Sequence, residues 1–86
     1  MAIRTGQIVT SATPVQIDGT STSPYKLILH NASANDSIYI GNGDLTTSTG
    51  FDLHSKSTLT LDMPPLTNVW VIGPSGNPTI NWMSIS

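Results

Sequence analysis

Cysteine is absent from the 86 residues, which excludes disulfides, thiolate metal sites and cysteine nucleophiles together. Glutamate is absent as well. The few charges are Arg4, Lys26 and Lys56 against Asp18, Asp36, Asp44, Asp52 and Asp62, a net of −2. That balance provides no basic footprint for phosphates, so nucleic acid is not an expected partner. Long apolar runs are also missing. The longest is Val69 to Ile72, against the ~20 residues needed to span a bilayer, and Met1 to Gly6 lacks the apolar stretch of a signal peptide behind it. Neither a membrane partner nor secretion is expected. No segment carries apolar residues at i, i+3, i+4 and i+7 over three turns, so helix should be near absent.

What is abundant is hydroxyl: 11 Ser and 12 Thr. These residues lack the like-charge repulsion of disordered tracts, and the chain also holds large apolar residues enough for one small core. With no disulfide or metal to staple so small a core, the domain is expected to lean on other protein chains, as a homo-oligomer or docked on a partner.

The hydrophobic pattern has a period of two, the signature of strands. Ser57 to Met63 alternates most cleanly, and Pro64-Pro65 ends it by removing two backbone donors. Tyr25 to Asn31, Ile38 to Ile40, Val69 to Ile72 and Thr79 to Ile85 read as further strands; Gln7 to Ser11, Pro14 to Ile17 and Phe51 to Leu53 are weaker ones. In Val69 to Ile72 both faces are apolar, as in a strand covered on both sides. Loops are expected at Asp18 to Pro24, Gly41 to Asp44, Thr46 to Gly50 and Gly73 to Pro78. About eight short strands predict an all-β fold, a small antiparallel β-sandwich or jelly-roll-like barrel. Met1 to Thr5 fall outside the alternation, and residues 1–6 are expected to form an extended N-terminal arm ahead of a single domain over 7–86.

Catalytic chemistry finds little to work with. Asp18, Asp36 and Asp44 sit among Gly, Ser, Thr and Asn, where Asp commonly forms turns, and no GxSxG elbow marks a nucleophilic serine. His30 and His54 are the only histidines, and neither has a metal-ligand partner at i+2 or i+4. Gly41-Asn42-Gly43 opens like a phosphate loop, but position 46 is Thr and no helical pattern follows, so a hairpin turn is expected. No enzyme activity, cofactor or metal is expected. Trp70 and Trp82 offer the largest burial, followed by Tyr25, Tyr39 and Phe51, and core packing is the expectation for all five. The alternatives for the tryptophans are a subunit interface or a sugar-stacking platform.

Ile38 to Leu53, read as IYIGNGDLTTSTGFDL and running on into STLTLDM, resembles a pattern in small virion proteins of tailed bacteriophages. An asparagine-bearing strand, an IYIG strand, a Thr/Ser loop, a GF-x-L element and a Leu-Thr-Leu strand follow one another. Asn31, Gly41, Gly50, Phe51, Leu53, Leu59 and Leu61 carry the match, which covers roughly Leu27 to Ile85. Where the pattern has a glycine turn before its Leu-Thr-Leu strand, this chain has His54-Ser55-Lys56. The resemblance implies a structural role: a capsid decoration (cement) subunit, assembled in the host cytoplasm, that binds the major capsid protein on the outer surface of the virion, typically as a trimer. Shell contact is expected through the arm, Met1, Ala2, Ile3, Arg4, Thr5 and Gly6, by adding a strand to a capsid sheet edge, and subunit contact through Trp70 or Trp82, a residue type enriched at binding hot spots. The alternative is a lectin-like or receptor-binding module of a phage tail or fibre.

Overall fold

The computed structural model describes residues 2–17, 20–74 and 77–86. Met1, the turn-former Asp18 and the centre of the Gly73 to Pro78 loop lie outside them. Among the described residues eight strands form, in chain order β1 (Ile3–Val9), β2 (Val15–Gln16), β3 (Tyr25–Asn31), β4 (Ile38–Gly41), β5 (Phe51–Leu53), β6 (Thr58–Met63), β7 (Trp70–Ile72) and β8 (Thr79–Ile85). They make two antiparallel four-stranded sheets, ordered β1-β8-β3-β6 and β2-β7-β4-β5. β1 pairs with β8, β2 with β7, β3 with β6 and β4 with β5. The chain is thus one long double strand, folded over so that successive pairs alternate between sheets, which is jelly-roll connectivity.

Period-two alternation fills the space between the sheets. Tyr25, Leu27 and Leu29 of β3, Ile80 of β8, Ile38 and Ile40 of β4, Leu53 of β5 and Val71 of β7 meet there, all buried. Leu59, Leu61 and Met63 of β6 close one side, half-buried. β7 is covered on both faces, as its pattern predicts: Val71 and Ile72 are buried and Trp70 is half-buried.

Residues 3–6 are no free arm. They form the first half of β1, with Ile3 opposite Ile85 and Gly6 opposite Trp82, and Ala2 extends the ladder by exchanging backbone bonds with Ser86 (2.7 and 2.9 Å). The alternation fails at Gly6 because β8 supplies the missing bulk. A Cβ on Gly6 would lie 2.7 Å from the Trp82 indole, so the ring occupies the place a side chain would take.

The double strand bends at three corners, each tied across its two halves. At the first, buried Thr10 donates its hydroxyl to the Pro78 carbonyl (2.6 Å), and Gly73 leaves room for it, since a Cβ there would meet Thr10 Oγ1 at 2.1 Å. At the second, the Ile17 N–H donates to Val69 (2.9 Å), the Leu66 N–H to Ser21 (2.9 Å), and the Tyr25 hydroxyl to the Thr67 carbonyl. At the third, fully buried Asn31 donates from Nδ2 to the carbonyls of Asp36 (2.8 Å) and Leu53 (2.9 Å), while its Oδ1 accepts from the Ser33 N–H (2.9 Å). Because Asn31 ends β3 and Leu53 ends β5, that amide joins the two sheets.

The β5–β6 turn at His54-Ser55-Lys56 is made without a glycine. Lys56 takes the left-handed conformation itself, at φ 61°. Its cost of about 1–2 kcal/mol is offset by two bonds: the Lys56 N–H to Asn31 (2.9 Å) and Nζ to the Ala32 carbonyl (3.0 Å). Serine and threonine serve the loops in the same way. Ser33 Oγ accepts from the Asp36 N–H (3.0 Å), and Thr49 Oγ1 from the Thr46 N–H (3.0 Å).

Two stability tests follow from the corners. Asn31→Ala leaves two carbonyls and an N–H without their buried partner and should lower unfolding free energy by about 2–4 kcal/mol, read from the urea midpoint at constant m. For Tyr25, burial raises the phenol above its ordinary value near 10, opposed by the Thr20 hydrogen bond and the Arg4 charge. The unfolded chain therefore ionises first. Its contribution is intact below about pH 10 and is lost as pH rises from there through the folded value, so Tyr25→Phe should flatten the alkaline limb of a Tm-against-pH curve.

Candidate interaction surface

The two sheets differ in what lies outside them. Over β2-β7-β4-β5 the chain folds its own β4–β5 loop. Leu45 of that loop is buried, with its Cβ 3.2 Å from where a Gly41 side chain would begin; Gly43 lies against the Trp70 ring; and Gly50 sits so close to Tyr39 and Leu45 that a Cβ would approach them at 2.6 and 2.8 Å. In place of a tight hairpin at Gly41-Asn42-Gly43, Gly41 ends β4 and a turn over Asn42 to Leu45, closed by the Leu45 N–H on the Asn42 carbonyl (3.2 Å), opens the longer connection to β5.

Over β1-β8-β3-β6 nothing comparable lies among the described residues. Strand register sets the outward side chains in rows. Ile3, Ile85, Lys26 and Asp62 form one row, Thr5, Met83, Ile28 and Thr60 the next, then Gln7, Asn81, His30 and Thr58, and finally Val9 beside Thr79. Ile3 and Val9 are 61% and 65% exposed, Met83 is exposed, and Ile28 and Ile85 are half-buried. These residues make an apolar patch bordered by hydroxyls and amides. A shallow hollow of about 360 Å³ lies within it, lined by Gln7, Ile28, His30, Asn81, Trp82 and Met83 among others. The Asn81 Oδ1 is buried without a hydrogen-bond partner, and His30 Nδ1 lies 3.0 Å from Thr58 Oγ1.

The residues singled out by sequence are dispersed. Ile3 and Thr5 project onto the open face, whereas Arg4 and Gly6 belong to the opposite side of β1, where Arg4 donates to the Thr20 carbonyl. Trp82 packs against the core beneath Gly6 and Trp70 lies under the β4–β5 loop, so neither tryptophan projects freely. Tyr25 is in the core and Tyr39 half-buried, but Phe51 is 62% exposed, because β5 is the outermost strand of its sheet. Asp52 and His54 pair at 3.7 Å on the surface, an exposed contact of little energetic weight. Among the described residues no group of three or more His and Asp is placed to hold a metal, and no helix is long and apolar enough to cross a membrane.

The open patch is the feature that sequence reasoning missed. Its signal was present as two-sided apolar strands: Ile28 opposes Leu27 and Leu29, and Met83 and Ile85 oppose Ile80. Only the neighbour order β1-β8-β3 unites these residues on one surface.

Gly6→Ala tests how this surface is built. Its methyl must displace a rigid indole, so it should destabilise the fold by about 1–3 kcal/mol and shift Trp82 fluorescence, with thermal unfolding and emission spectra as the measurements.

Compared with known proteins, the chain matches no family model, no curated protein and no solved structure.

Proposed function

We propose that this chain is a structural virion subunit, a capsid decoration protein that binds the major capsid protein and stabilises the phage head. The open apolar face of the β1-β8-β3-β6 sheet carries the reading. An uncovered patch of Ile3, Ile28, Met83, Ile85 and Val9, rimmed by polar side chains, is the form of a surface meant to be covered by protein. The jelly-roll body supports it: three bonded corners and a sheet covered by its own loop make a rigid block that can sit at many equivalent positions on a shell. In this reading Ile3 and Thr5 touch the shell as members of a sheet face.

A second reading, a glycan-binding module, draws on the hollow beside Gln7, His30 and Asn81, where the orphan Asn81 Oδ1 could accept from a sugar hydroxyl.

The test uses purified phage particles and the isolated protein. The decoration reading expects hundreds of copies per particle by quantitative mass spectrometry. It also expects stripped shells to rebind the wild-type chain but to lose Ile28→Asp/Met83→Asp by at least about tenfold, or ~1.4 kcal/mol, while that variant keeps its circular dichroism. A handful of copies per particle, or undiminished binding by the variant, overturns it. Retention of the wild-type chain on a glycan array, abolished by Asn81→Ala, selects the second reading.

A further inference from the structure

Strand edges are where β-proteins pair with other chains, and they are usually guarded by shortness, proline, bulges or inward-pointing charge. This fold has four edges. β2 is two residues long and follows Pro14, and β5 is three residues long. β6 is six, but it carries Asp62 and ends at Pro64-Pro65. β1 is the least guarded: seven residues, no proline and no lysine, its single guard being the core-side charge of Arg4, which the Thr20 carbonyl engages.

The backbone bonds of β1 fall on one side. Ala2 pairs with Ser86 and Thr10 donates to Pro78, so along the continuous register the even residues face β8. Ile3, Thr5, Gln7 and Val9 therefore direct their N–H and C=O groups to the open edge.

We infer that β1 pairs with β1 of a second copy of this chain, antiparallel about a two-fold axis at Gly6, joining the two outer sheets into one of eight strands. The strand is self-complementary about that point. Gly6 faces its own copy, Thr5 faces Gln7 and Ile3 faces Val9, so each outward-directed backbone pair is matched by its equivalent. Ile3 and Val9, the two most exposed apolar residues of the strand, then cover one another on the same face. A register shifted by two residues either way strands one of them. The two Arg4 side chains fall about 14 Å apart, beyond the ~8–10 Å over which charges act in physiological salt.

A self-paired edge closes on a two-fold axis and cannot by itself build a three-fold ring. It also doubles the apolar face, because Val9 of one copy continues the Ile3–Ile85 row of the other. Pairing of one strand buries less than the ~1,200 Å² typical of stable complexes, so the association is concentration-dependent. The inference stands apart from the shell-binding reading, since its test needs only the purified chain.

Sedimentation velocity and native mass spectrometry from about 1 μM to about 1 mM should find a monomer–dimer equilibrium. Ile3→Lys/Val9→Lys places like charges across both Ile3–Val9 pairs and should weaken dimerisation at least about tenfold. Ile3→Lys/Val9→Glu, altering the same exposed positions, should restore it. Gln7→Pro removes an edge donor that β8 does not use and should abolish it. Circular dichroism and Tm establish that each variant is folded. The inference is overturned by a wild-type chain that stays monomeric throughout, by an assembly that ignores the lysine pair or the proline, or by a Lys/Glu pair as weak as Lys/Lys. A trimer insensitive to all three variants overturns it too and relocates the interface.

Discussion

The buried amide of Asn31 is the constraint on which the sandwich turns. It lies where the chain leaves one sheet for the other, and it draws on the carbonyl ending β5, the carbonyl of Asp36 and the N–H of Ser33. A hydrophobic core holds two sheets together without specifying how they are registered. A buried polar group is intolerant of displacement because each lost partner costs about 1–3 kcal/mol. At the first corner buried Thr10 carries the β1–β8 ladder on to Pro78 and packs against Gly73, where the chain leaves β7 of the other sheet. Together they convert a non-directional collapse into a particular stacking of the two sheets.

With that stacking in place, the asymmetry of the molecule follows. The β4–β5 connection is long enough, and rich enough in glycine, to lie across Trp70 and Tyr39 and bury Leu45 against the outside of its own sheet. The opposite sheet receives no such cover among the described residues, and its outward rows keep Ile3, Ile28, Met83 and Ile85 in contact with water. One half of the domain is thus self-contained, and the other presents both an apolar face and a thinly guarded edge.

Much of this architecture was legible in the chain because strand periodicity is local. The ranges Tyr25 to Asn31, Phe51 to Leu53 and Thr79 to Ile85 coincide with strands, and most of the others differ by a residue or two. The first strand was legible only over Gln7 to Val9, and its first half was not. Gly6 interrupts its alternation, and the bulk that completes it comes from Trp82, 76 positions later. Phe51 was misjudged for a similar reason, since a strand's own pattern does not reveal that it lies at the edge of a sheet.

The sequence alone determined an all-β domain of about eight short strands, with hydroxyl-rich loops and no helical stripe, because alternation and turn chemistry are properties of neighbouring residues. The tertiary structure alone decided which strands adjoin, which apolar face is covered and which edge is open. Ile28, Met83 and Ile3 become one surface only when β3, β8 and β1 lie side by side, and that adjacency depends on pairings between residues far apart in the chain.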